Sequence, residues 1–152
     1  MPDRIPEITR ADATRVEKPW GYEIRWAITD RYLGKILHVN RGEALSLQYH
    51  ERKDEWLLVS KGTIDIEIGK LDGELEKVRM NAGDSVHMPP LTRHRLTAVD
   101  DADIFEVSTP EIDDVVRLED RYGRATPPPR GSRREPGGTS PQGGEAKLPP
   151  VK

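Results

Sequence analysis

The sequence predicts an all-β fold, and three observations carry that reading. Ile64, Ile66 and Ile68 alternate with Asp65 and Glu67, a period of two that buries one face and wets the other. Short apolar runs of this kind recur along the chain with turn residues between them. No stretch of twelve residues holds a helical period.

Taken in order, the first two runs cover residues 20–28 and 32–39 and end at the turn Asn40-Arg41-Gly42. Runs at 44–50 and 55–60 follow, and Lys61-Gly62 separates them from the isoleucine strand. Leu71-Asp72-Gly73 leads into 75–80, and Asn81-Ala82-Gly83 into 85–88. Pro89-Pro90 precedes a run at 95–99, and Asp100-Asp101 precedes the last at 104–108. After Thr109-Pro110 the residues Glu111 to Asp114 suit one helical turn, with Pro at its first position. Eight or nine short strands with such punctuation imply a sandwich or barrel.

Composition divides the chain. Residues 125–152 hold seven Pro and five Gly in 28 positions, above the roughly 25–30% that marks unfolded sequence. The barrel is therefore expected over residues 18–124, between an N-terminal arm (1–17) and a disordered tail (125–152). The chain as a whole is 34% apolar. Over 18–124, apolar residues and Gly together make 50 of 107, inside the roughly 45–50% of ordinary domains. No apolar run approaches the ~20 residues of a membrane span. The absence of Cys removes disulfides and thiolate sites, and residues 1–18 carry no apolar signal core, so a cytoplasmic location is expected. A net charge of −3 argues against a binder of nucleic-acid backbone.

Of the four His, two sit where metal ligands are expected. Gln48 and His50 are two apart on one predicted strand and so share a face. Glu55 opens the next strand, and His94 follows the double proline. If 44–50 and 55–60 pair as a hairpin, Gln48, His50 and Glu55 converge, and His94 completes two imidazoles, a carboxylate and an amide oxygen. Read alone, these residues equally admit packed histidines without a metal.

The spacing Gly42-x5-Gln48-x-His50-x4-Glu55-x6-Gly62 resembles the first cupin motif, with Gln48 where many cupins carry a His. Gly83-x5-Pro89-x4-His94 resembles the second, with Leu91 and Ala98 replacing its Gly and Asn. Lys18-Pro19-Trp20-Gly21-Tyr22, Leu45-Ser46-Leu47-Gln48-Tyr49-His50 and Leu118-Glu119-Asp120-Arg121-Tyr122-Gly123-Arg124 are similar to the cupin part of the type II phosphomannose isomerases, which are bifunctional isomerase/guanylyltransferases. The Gly-rich nucleotide loop of the guanylyltransferase part does not occur in the sequence.

The resemblance implies a cupin barrel (a double-stranded β-helix) and one divalent metal ion per chain. Zinc is the first expectation for such N and O donors, with Mn, Fe, Co and Ni compatible. It also implies isomerisation of mannose 6-phosphate to fructose 6-phosphate through an enediol. With Glu55 the only anionic ligand, a divalent ion keeps a residual positive charge suited to polarising a carbonyl. For the phosphate, Lys35, Arg93, Arg95 and Arg124 lie in the matching stretches. For catalysis the candidates are Glu55, Arg95 and His87, the last only if its strand turns it toward the cavity. Partners are then a phosphorylated sugar and, by analogy and edge-strand logic over 20–28 and 115–120, a second copy in a homodimer. Competing readings are a metal-dependent dioxygenase, for which Gln48 is anomalous, and a non-catalytic cupin that binds a sugar or nucleotide sugar.

Overall fold

A computed structural model describes residues 11–127. Its eleven strands are β1 (Thr14–Lys18), β2 (Gly21–Ile28), β3 (Leu33–Val39), β4 (Leu47–Tyr49), β5 (Glu55–Lys61), β6 (Thr63–Lys70), β7 (Glu76–Asn81), β8 (Ser85–Met88), β9 (Thr92–Ala98), β10 (Ala102–Ser108) and β11 (Val116–Glu119). Two antiparallel sheets result, one ordered β1-β2-β3-β10-β5-β8 and the other β11-β4-β9-β6-β7. From β3 onward, every connection except β6–β7 crosses from one sheet to the other, which is the wrapping of a jelly roll. Gly62 makes one such corner: its φ is +82°, and a Cβ there would stand 2.3 Å from the Asp101 carbonyl oxygen.

The crossings fall into two groups. Residues 40–46, 62, 82–84 and 99–101 close one end, stitched by backbone bonds such as Gly42 N–H to the Ala98 carbonyl. Residues 50–54, 89–91 and 109–115 form the other end, where the site lies. There Asp114 caps the backbone N–H groups of Glu51, Arg52 and Lys53 at 2.7 to 3.0 Å. Its carboxyl is held below the usual range because these N–H bonds outweigh the upward push of burial.

Several expectations change. The runs at 44–50 and 55–60 do not pair: β4 joins β9 and β11, while β5 joins β10 and β8 in the other sheet. The barrel starts four residues earlier than expected, because Thr14 to Lys18 pair with β2, so β2 is not an edge. Strand β11 is an edge, next to β4. Residues 111–114 form no helical turn, since Asp114 is drawn to the 51–53 loop. Thr126 is bound to Arg117 through two backbone-directed bonds, so the ordered chain passes residue 125. The rest of the expected tail, and most of the N-terminal arm, lies outside the described residues.

Val39, Val59, Ile64, Ile66, Leu96 and Ile104 fill the space between the sheets. Nearer the site the inner face changes character. Arg25 faces Lys35 in register, Lys35 faces Glu106, and all three line the interior. Their neighbours Trp26, Phe105 and Val107 point outward and are exposed. A band of charge therefore sits on top of the apolar core.

Leu91 stands at φ +63°, in the left-handed region where the cupin motif carries Gly. Its N–H bonds the His50 carbonyl at 2.8 Å, so the strained residue holds the loop that carries His50. Relieving such strain is worth about 1 kcal/mol. Leu91→Gly is therefore expected to raise the melting temperature by a few degrees, read by thermal denaturation; a lowered value would show that the Leu91 side chain contributes more than its backbone costs.

Candidate functional site

His50 lies just beyond β4, Glu55 opens β5 and His94 is the third residue of β9. All three are buried, at 6%, 4% and 3% exposure. One potential ligand atom from each lies within 4.8 Å of the others. The convergence comes from two sheets facing each other with a crossing loop between them, not from a hairpin.

The imidazoles are oriented from behind. His94 Nδ1 lies 2.9 Å from the Thr92 carbonyl oxygen, and His50 Nδ1 bonds the Asp114 carbonyl. A carbonyl only accepts, so each Nδ1 carries its proton, and a ring with no second proton turns a lone pair on Nε2 inward. Those Nε2 atoms stand 3.5 Å (His50) and 3.2 Å (His94) from Glu55 Oε1. Lone pairs of two rings and an anionic oxygen cannot satisfy one another, and His50 Nε2 is a buried atom without a hydrogen-bond partner. A cation at their meeting point, a metal ion or protons on the rings, resolves the conflict. The donor set fits a divalent ion, and the carbonyl contacts to both Nδ1 atoms are the outer support such ligands need.

Glu55 Oε2 accepts from Lys53 Nζ at 2.9 Å, and Lys53 also bonds Glu106. Burial pushes the Glu55 carboxyl up, but positive charge at the meeting point, as protons donated by His50 and His94, and the Lys53 ammonium outweigh it and hold the carboxyl well below the usual range. Burial pushes Lys53 down, yet Glu106 and Glu55 more than reverse this, so its ammonium stays charged. Gln48 lies opposite His94 in register; its Oε1 accepts from the Ser46 hydroxyl at 2.7 Å.

These groups line a cavity of about 380 Å³, which Gln48, Lys35 and Arg124 also line. The other expected site residues lie elsewhere. His87 is on the outside, because Met88 and Val86 take the inner positions of β8; it stacks on Trp56 and its Nε2 lies 2.6 Å from Asp54 Oδ1. Arg93 and Arg95 flank His94, so the alternation that turns His94 in turns them out. Arg93 donates to the Lys70 and Gly73 carbonyls, and Arg95 to Glu67 and Glu119. Arg124 reaches the cavity but is held by Asp120 through one guanidinium edge, Nε at 3.0 Å and Nη2 at 2.9 Å. Sequence reasoning missed Lys18, Glu23, Arg25, Lys53, Glu106 and Arg117, all cavity-lining. For Glu106 a signal existed: like Lys35, which the sequence did point to, it occupies an inward position in its strand's alternation, here the one that buries Ile104.

The jelly roll and its inward His-Glu-His set define a cupin. The family model "Mannose-6-phosphate isomerase C-terminal" matches residues 7–120, and the chain belongs to that family. It is similar to the "Mannose-1-phosphate guanylyltransferase" of Escherichia coli K12, 36% identical over 115 residues, covering 72% of this chain and 23% of that protein. It is similar also to the "Xanthan biosynthesis protein XanB" of Xanthomonas campestris, 32% identical over 130 residues, covering 80% of this chain and 27% of that protein. The chain thus spans about a quarter of the length of these curated relatives. Among solved structures, KdgF from Halomonas sp. superposes with a TM-score of 0.57 at 27% identity, covering 68% of this chain and 92% of that one. No helix among the described residues is long and apolar enough to cross a membrane.

Proposed function

We propose that the cavity is the active site of a metal-dependent isomerase that interconverts an aldose phosphate and a ketose phosphate, of the mannose 6-phosphate to fructose 6-phosphate type. The observation that carries this reading is the buried meeting of His50 Nε2, His94 Nε2 and Glu55 Oε1 in a polar cavity. Family membership supports it. His50, Glu55 and His94 would hold the ion, with Gln48 as a fourth ligand, and zinc is the first expectation. Such an ion supplies Lewis-acid polarisation of the substrate carbonyl and stabilises charge on the enediol.

The chain's own groups account for the rest. Lys53 holds Glu55 as an anion and fixes its orientation. Of the three residues expected to act in catalysis, only Glu55 faces the cavity, and its contacts with both imidazoles make it a ligand first. Glu106, tied to the same Lys53, is a second buried carboxylate at this end and, not being a ligand, is the one assigned to move a proton between adjacent carbons. Lys35 and Arg124 remain as residues that face a phosphorylated substrate.

The test is elemental analysis followed by an isomerase assay on one preparation. Close to one divalent ion per chain and fructose 6-phosphate formed from mannose 6-phosphate are expected. Folded, metal-loaded protein without turnover would overturn the isomerase reading. Two His and one carboxylate also suit a non-haem iron oxygenase; oxygen uptake by iron-loaded protein with a small organic acid would favour that reading instead.

A further inference from the structure

Six cationic side chains line the cavity, and they are not evenly balanced. Lys53 is matched by Glu55 and Glu106, and Arg124 by Asp120. At the β1–β2–β3 side, three cations converge on the single carboxylate of Glu23: Arg25 Nη2 at 2.7 Å, Lys35 Nζ at 3.5 Å and Lys18 Nζ at 3.9 Å. Arg117 of β11 adds a fourth. Its guanidinium makes no ion pair among the described residues, and its Nε is buried without a hydrogen-bond partner. Burial pushes the Lys18 ammonium down; Glu23 opposes this, while Lys35, Arg25 and Arg117 add to it. Four cations share one ion-paired carboxylate, Glu23. Glu106 opposite Lys35 is tied to Lys53, Asp120 acts on Arg117 only through space while it binds Arg124, and Asp113 lines the cavity without an ion pair among the described residues. This side therefore keeps a surplus of positive charge.

We propose that Arg117, with Lys18, Arg25 and Lys35, forms the subsite for a phosphoryl dianion in the cavity that also holds the His50, Glu55 and His94 cluster. This deepens the isomerase reading and rests on it for the identity of the rest of the ligand. The chemistry selects a phosphomonoester: a dianion meets the surplus, and a guanidinium with a free edge offers paired donors to phosphate oxygens. Glu23 serves as the positioning residue, because it gathers Lys18, Arg25 and Lys35 to one point. Of the three arginines expected from sequence, Arg93 and Arg95 take no part, and Arg124 is occupied by Asp120.

Isothermal titration of the full chain with inorganic phosphate tests this without turnover. Wild-type protein is expected to bind phosphate, and Arg117→Gln to bind it at least about tenfold more weakly, as for the loss of a charged hydrogen bond. Arg93→Gln, on the outside, and His50→Ala, at the metal end, are expected to keep wild-type phosphate affinity. Should Arg117→Gln fail to fold, Lys18→Gln carries the same expectation. Wild-type protein that ignores phosphate, or affinity unchanged in the folded variants at 117 and 18, would overturn the subsite. Phosphate binding lost in His50→Ala would overturn it too, by placing phosphate on the metal. Arg117-dependent phosphate binding without isomerase turnover would leave the subsite standing and remove only the isomerase reading.

Discussion

His94→Ala is expected to lose its divalent ion, with affinity reduced by at least about 100-fold. Changes to groups that merely support a ligand already cost 10–100-fold, and His94 is placed as a ligand itself. Its ring is buried and anchored through Nδ1 to Thr92, and among the described residues the cluster contains only His50 and Glu55 besides. Elemental analysis of the purified variant should fall from about one ion per chain to near none, and isomerase activity should vanish with it. A second measurement separates metal loss from misfolding. An ion that binds only the folded chain stabilises it by mass action, so a chelator should lower the melting temperature of wild-type protein. The same chelator should leave His94→Ala unmoved. A variant that keeps stoichiometric metal would remove His94 from the site.

That cluster was legible in the sequence because its residues obey the alternation of a strand. Gln48 and His50 share a face, His94 follows a double proline, and the spacings match two known motifs. Two of the four phosphate candidates, Arg93 and Arg95, and the candidate base His87 turn outward for the same physical reason. Once His94 faces inward, period-two geometry sends Arg93 and Arg95 outward, and once Met88 enters the core His87 must leave it. The sequence held this conflict; the family likeness covered it.

The charged inner band was harder to read. On β2 and β10 the outward positions carry Ile24, Trp26, Phe105 and Val107 while Glu23, Arg25 and Glu106 face in. Binary patterning buries the wrong face there, because part of the charge that stabilises these buried groups comes from other strands and loops. Glu23 is matched by Lys35 twelve residues away, and Glu106 by Lys53 on a loop from the opposite sheet. No local pattern encodes such pairs. The connection at 50–55 was misread for a related reason: a short loop suggests a hairpin, whereas this barrel spends its short loops on crossings between sheets.

Lys53→Met is expected to be the most destabilising single change near the site. The substitution keeps most of the side-chain volume and removes the charge, so Glu55 and Glu106 are left buried beside each other without their shared cation. Breaking a buried pair in this way costs about 3–5 kcal/mol, because the remaining charge has neither water nor partner. For a domain of this size that is a fall of roughly 10–20 °C in melting temperature. Adding Glu106→Gln should restore part of the loss, since it removes one of the two stranded carboxylates, and the pair is close enough for such coupling. The metal enters the same balance. A divalent ion beside Glu55 would compensate one carboxylate, so Lys53→Met should cost more in chelator than in zinc. Equal losses under both conditions would mean that Glu55 does not bear on the ion, and the ligand set would shrink to the two imidazoles and Gln48.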